Sequence, residues 1–185
     1  MQEAIKKTKY TYADYYSWDD GERYELIEGV PYLMAPAPSD GHQSVCVELV
    51  AQLAVFLRNK PCKVRAAPYD VRLNADGADD TVVQPDIVVI CDSSKITARG
   101  CVGAPDLAIE ILSESSHTHD AEVKYRLYLK AGVREYWIVD PVRQTVKTNI
   151  LVNSQYKSRM YNRNDIVSVH VLEGCAIRLP EVFSG

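Results

Sequence analysis

The stretch Pro105-Asp-Leu-Ala-Ile-Glu-Ile-Leu112 has the composition of a buried β-strand with one residue out of place. Alternation along a strand sends Leu107, Ile109 and Ile111 to one face and Asp106, Ala108, Glu110 and Leu112 to the other. Glu110 therefore stands mid-strand between two isoleucines, on a face that should be half buried. A carboxylate there carries a desolvation cost unless cations or hydrogen-bond donors surround it. Two roles meet that condition: partner to a buried Arg or Lys, or ligand to a divalent cation. Upstream, Val82 to Cys91 predicts another strand, and its second half, Ile87-Val-Val-Ile-Cys91, is continuously apolar, as in a strand covered on both faces. Asp86 follows Pro85 at the head of that run. Alone it would cap a loop; beside Glu110 it would complete a pair of oxygen ligands of the kind Mg²⁺ or Mn²⁺ takes.

Beyond Glu110, the polar run Ser113 to Asp120 leads into a helix closed by Gly132. Asp120, Lys124, Leu127, Tyr128 and Ala131 fall on one stripe of it, with Lys124 and Tyr128 as neighbours. Packed over the Glu110 strand, this helix would aim the Lys124 ammonium at the carboxylates. Left on the surface, Lys124 would pair with Asp120. Glu135-Tyr-Trp-Ile-Val-Asp140 predicts a further buried strand ended by Pro141, and Gln144 to Phe183 reads as β-hairpins.

Toward the N-terminus, Thr11-Tyr-Ala-Asp14 has the spacing of a capping box and predicts a short helix through Trp18. Arg23 to Ile27 and Val30 to Met34 predict a hairpin about Glu28-Gly29. Asp40-Gly-His-Gln43 repeats the capping-box spacing ahead of Cys46, Leu49, Val50, Leu53 and Leu57, so a long helix should run to about Asn59. Cys62 to Ala67 and Tyr69 to Leu73 are candidate strands, and residues 74–80 a turn. No repeat, low-complexity tract or linker divides the chain, which reads as one mixed α/β domain over residues 1–185.

The 185 residues are 46% hydrophobic and 25% charged, a balance that excludes wholesale disorder and collagen-like structure. No stretch has the apolar length to cross a bilayer, and the start lacks the apolar core of a signal peptide. Cys46, Cys62, Cys91, Cys101 and Cys175 contain no C-x-x-C pair, so neither a disulfide framework nor a zinc knuckle is expected, and a reducing cytoplasm is the natural location. The net charge of −4 argues against nucleic-acid binding by electrostatics alone. The charge is nevertheless uneven. Asp70, Asp76, Asp79, Asp80, Asp86 and Asp92 face only Arg72 in their segment, whereas Arg143, Lys147, Lys157, Arg159 and Arg163 share theirs with no acid. The cluster Tyr10, Tyr12, Tyr15 and Tyr16 suits packing in the core or at an interface. His117-Thr-His119 reads as a solvated loop pair.

Four ordered segments, Arg23-Tyr-Glu-Leu-Ile-Glu-Gly29, Gln84-Pro-Asp-Ile-Val-Val89, Pro105 to Ser113, and Asp120…Lys124…Tyr128…Gly132-Val-Arg-Glu-Tyr-Trp-Ile-Val-Asp-Pro141, closely resemble the Uma-two family of restriction-endonuclease-like proteins. That family lies within the PD-(D/E)xK nuclease superfamily. The resemblance runs from about Thr11 to Phe183. It implies an α/β (α+β) fold: a restriction-endonuclease-like core with a central mixed sheet flanked by helices in the order helix, three strands, helix, strand, plus N- and C-terminal β-hairpins. It also implies that Asp86 and Glu110 are catalytic and hold Mg²⁺ or Mn²⁺. Leu112 stands where the superfamily pattern has its lysine, and the resemblance implies that Lys124 supplies that charge from the following helix. Glu25 and His42 are further candidates. Glu25 lies in the segment resembling the family's first motif. His42 sits in a first helical turn, where amides favour anions and where a solvated residue is equally at home.

The function expected is metal-dependent endonucleolytic hydrolysis of DNA phosphodiester bonds by a cytoplasmic homodimer, without membrane contact. The alternative is a non-catalytic nuclease-like module for DNA binding or dimerisation, favoured by the negative charge and by Leu112. A paired-carboxylate glycosidase fits poorly, because no protonated acid or sugar-binding aromatic set is evident.

Overall fold

The computed structural model describes residues 8–34, 37–113 and 119–184, without the side chains of residues 119–121. The side chains of His117, His119 and Asp120 lie outside this description. Thr11 opens α1 (Tyr12–Tyr16), its N–H and Oγ1 both donating to Asp14 Oδ2, at 2.7 and 2.8 Å. The helix stops two residues before Trp18. β1 (Tyr24–Ile27) and β2 (Val30–Leu33) form the expected hairpin. Glu28 and Gly29, at φ 49° and 82°, give it the two-residue turn whose twist matches paired strands. α2 (Asp40–Leu57) starts one residue earlier than the capping-box spacing suggests, since Ser39 is the N-cap and its Oγ accepts from the His42 N–H at 3.4 Å. Val45, Leu49, Leu53 and Leu57 form its buried stripe.

β3 (Lys63–Ala66) and β4 (Val71–Arg72) follow, then β5 (Val82–Val83) and β6 (Ile87–Ile90). The single strand expected over Val82–Cys91 is thus two strands in two different sheets. Pro85 has no N–H for a ladder, and Gln84-Pro85-Asp86 carries the chain from one sheet to the other. A 3₁₀ turn at Ser93–Lys95 precedes β7 (Ile96–Thr97) and β8 (Gly100–Val102), a hairpin without an obvious sequence signature. β9 (Leu107–Ile111), α3 (His119–Ala131) and β10 (Glu135–Asp140) form a parallel β-α-β unit, and the Val133 N–H closes α3 on the Tyr128 carbonyl at 2.9 Å. Two hairpins complete the chain, β11 (Thr145–Val152) with β12 (Gln155–Asn162) and β13 (Ile166–Ser168) with β14 (Ala176–Arg178). A short α4 (Leu179–Val182), not expected among hairpins, follows them.

Among the described residues the strands build two six-stranded mixed sheets, β2-β1-β5-β4-β8-β7 and β12-β11-β10-β9-β6-β3. The N-terminal hairpin is therefore the edge of a second sheet and not an appendage. Within the other sheet, the order α2, β3, β6, β9, α3, β10 is the core order expected from the sequence. Leu107, Ile109, Trp137 and Val139 face α2, the C-terminal hairpin and α4. Val88, Ala108 and Tyr136 face α3. A further correction concerns the cysteines. Cys62 and Cys91, which flank the β3–β6 ladder, are joined as a disulfide, while Cys46, Cys101 and Cys175 are free.

Candidate active site

The β6–β9 register pairs Ile87 with Ile109, and one step further Asp86 stands opposite Glu110. Both carboxylates lie where β6 begins and β9 ends. Asp86 Oδ2 accepts from the Ile111 N–H at 2.7 Å, and its Oδ1 lies 3.3 Å from His42 Nε2. His42 reaches it from the first turn of α2, which packs across the opposite face. The hydrogen bond to Asp86 raises the imidazole pKa against the opposing effect of burial. His42 Nδ1 is buried with no hydrogen-bond partner among the described residues.

Glu110 turns toward α3. Its Oε1 accepts from Tyr128 Oη at 2.6 Å and lies 3.0 Å from Lys124 Nζ. Lys124 and Tyr128, one helical turn apart, thus address the same carboxylate oxygen. The Lys124 ammonium is also 2.9 Å from Glu25 Oε1, which in turn accepts from the Gln84 N–H at 2.8 Å. Lys124 and Glu25 are each only 6% exposed. A cation so deeply buried is tolerated because two carboxylates compensate its lost hydration. Burial pushes the Glu110 pKa up to about 8. Lys124 and the Tyr128 hydroxyl pull it down, while the Asp86 and Glu25 charges raise it further. Burial and the neighbouring Glu110 charge lift the Tyr128 phenol well above its ordinary range.

The structure therefore gathers Asp86, Glu110, Lys124, Glu25 and His42 into one linked cluster. Sequence reasoning assigned no part in it to Gln84, Tyr15, Asp70 or Arg23. The Gln84 side chain accepts from Arg23 Nη2 at 2.5 Å and donates to Asp70 Oδ1 at 2.9 Å and Tyr15 Oη at 3.0 Å. Tyr15 also donates to Asp70, at 3.1 Å. The available signals were slight: Gln84 adjoins the Pro-Asp step, and Tyr128 lies four residues beyond Lys124.

For a divalent cation the donor chemistry fits in part. Asp86 and Glu110 stand opposite each other on paired strands. No group of three or more His, Cys, Asp or Glu side chains gathers at metal-binding distance among those residues. Water and phosphate oxygens would have to complete the shell, an arrangement Mg²⁺ commonly adopts.

Comparison with known proteins agrees with this architecture. A crystal structure of "a putative nuclease belonging to DUF820" from Anabaena variabilis ATCC 29413 superposes with a TM-score of 0.76 at 21% identity, covering 94% of this chain and 97% of that one. The two share a fold. The uncharacterized protein slr1290 of Synechocystis sp. (strain ATCC 27184 / PCC 6803 / Kazusa) is 26% identical over 117 residues, which span 62% of this chain and 60% of that protein. The family model described as "Putative restriction endonuclease" matches residues 12–180, nearly the whole length, and the chain belongs to this family, Uma2.

Proposed function

We propose that this protein is a metal-dependent endonuclease hydrolysing phosphodiester bonds of DNA. The observation that carries the reading is Lys124. A helix delivers its ammonium to 3.0 Å from Glu110, on the strand position facing Asp86, although the strand itself has Leu112 where a lysine would be expected. Asp86 and Glu110 would hold Mg²⁺ or Mn²⁺; when bound, the cation supplies a water of lowered pKa and neutralises phosphate charge. Lys124 stabilises the charge that builds on the phosphoryl oxygens in the transition state. Glu25 holds the ammonium in place, and Tyr128 Oη fixes the Glu110 rotamer. His42 Nε2 and the Ile111 N–H orient Asp86 from two sides.

A plasmid nicking assay with Mg²⁺ or Mn²⁺, together with calorimetric metal titration, tests the reading. Asp86→Ala and Glu110→Ala should lose both metal binding and cleavage. Lys124→Ala should keep metal binding, and its turnover should fall by roughly 10²–10³-fold. Two such sites in a homodimer would serve both strands of a duplex, and light scattering on the same sample reads the mass. The closed ion pairs of Lys124 with Glu25 and Glu110 favour the second reading, a non-catalytic DNA-binding or dimerisation module. Wild-type protein that binds metal and cleaves no DNA decides for it.

A further inference from the structure

We infer that Arg23 and Lys147 mark the two ends of the path along which a DNA strand crosses the candidate site, and that Lys157 and Arg159 lie off it. The inference rests on the nuclease reading above and names the side chains that would carry the polyanion.

Cross-strand register places a single row over one face of the sheet that contains β9 and β10: Asp86, Glu110, Ile138, Lys147 and Met160. Lys147 is two strands from Glu110, about 10 Å away, on the face α3 covers. Its Nζ lies 6.0 Å from the centre of the Tyr125 ring, on α3. The same alternation turns Lys157 and Arg159 to the opposite face, with Arg159 over Tyr161 in the layer packed by α2. The basic segment that looks uniform in sequence is therefore divided between two surfaces. On the other flank, Arg23 lies just before β1, two residues from Glu25, the residue that grips Lys124.

Arg23, like Arg163 with Gln144 Oε1 at 2.9 Å, has a neutral amide as its partner, unlike several other arginines of the chain. Arg72, Arg134 and Arg178 each face a carboxylate, as does Lys130. Arg23 instead donates to the neutral amide oxygen of Gln84, whose own amide nitrogen is anchored by Asp70 and Tyr15. The nearby Asp20 is turned away, accepting from Tyr24 Oη at 2.9 Å and from the Glu22 N–H at 3.0 Å. Burial raises the Asp70 pKa, and the Arg23 charge lowers it across the bridging Gln84 amide. Among the described residues, however, no carboxylate lies within ion-pair distance of the guanidinium, and an exposed fork held in orientation is preorganised for a phosphate.

The test is fluorescence anisotropy of a labelled DNA duplex with the full chain, in EDTA so that binding is read without hydrolysis, over a series of salt concentrations. Arg23→Ala and Lys147→Ala should each weaken binding severalfold and reduce the slope of log K against log salt by about 0.9, one phosphate contact. Arg23→Lys, which keeps the charge and loses the fork, should retain the slope. The double variant Lys157→Ala/Arg159→Ala should match wild type in both. Circular dichroism melts identify any variant that has lost its fold, and Arg23→Lys then reports on position 23. If all four positions contribute alike, or Arg23 and Lys147 contribute nothing while wild type binds, the path is wrong and the nuclease reading stands. If wild type binds no DNA at any salt, both fall. If the face-dependent pattern holds without metal-dependent cleavage, the path stands and hydrolysis falls.

Discussion

Glu110 concentrates the chemistry of the site into one titration. Its carboxyl is raised to about 8 by burial, so the protonated form is favoured in the fold relative to an unfolded chain. By linkage, its contribution to stability is complete below about pH 4.5 and is lost as pH climbs toward 8. Metal-free protein should accordingly show a melting temperature that falls between pH 5 and pH 8. Asp70 and Glu135, both raised by burial, add to the same trend, so the wild-type slope alone is not diagnostic. Glu110→Gln isolates the residue: its melting temperature should fall less steeply over that range. Parallel slopes would show that Glu110 ionises normally. Residue identity was the most legible level in the sequence. A carboxylate between isoleucines already demanded compensation, and Lys124 was a candidate to provide it. Tyr128, which shares the same oxygen, gave no such signal, because a buried tyrosine on a helix is ordinary core.

At the scale of elements, Gln84-Pro85-Asp86 has the largest consequence. It ends β5 in one sheet and begins β6 in the other, so Gln84 can serve the Arg23–Asp70 network while Asp86 faces Glu110. Hydrophobic pattern could not reveal this, since both halves of Val82–Cys91 are apolar and a proline alone does not name the sheet on either side. The short strands that hold Asp70 in place are equally cryptic. Gly100 in β8 adopts φ 121°, and a Cβ there would lie 2.2 Å from the Asp70 carbonyl oxygen, which accepts the Cys101 N–H at 2.8 Å. Gly100→Ala should therefore cost roughly 1–3 kcal/mol by strain and overpacking, read as a shift of the denaturant midpoint at unchanged m value. A midpoint within error of wild type would mean that the β4–β8 approach is not tight.

Over the whole molecule, the Cys62–Cys91 bond ties the edge strand β3 to β6 across 29 residues of sequence. Closing a loop of that length stabilises by roughly 2–4 kcal/mol through the unfolded ensemble. Non-reduced, denatured protein should label only at Cys46, Cys101 and Cys175, and reductant should lower the denaturant midpoint by a corresponding amount. Labelling at Cys62 and Cys91 as well would show that the protein carries them as thiols, as the cytoplasmic location expected from sequence requires. Pairing of these two cysteines could not be foreseen from spacing. They are far apart in the chain and become neighbours only because β3 and β6 run antiparallel with Lys63 opposite Ile90.

The sequence by itself determined the core order of helix, three strands, helix and strand, the turn at Glu28-Gly29, the apolar strands and the improbable carboxylates upon them. These are local properties, governed by backbone propensity, side-chain periodicity and the cost of burying a charge. Only the tertiary structure decided which of these residues meet. Lys124 lies between Glu25 and Glu110, partners 99 and 14 positions away, because α3 packs against both sheets. Lys147 shares the Glu110 face of its sheet while Lys157 and Arg159 do not, because antiparallel register, set over the whole hairpin, assigns each residue its side. Long-range pairing depends on how complete faces pack together, and no local window of sequence fixes it.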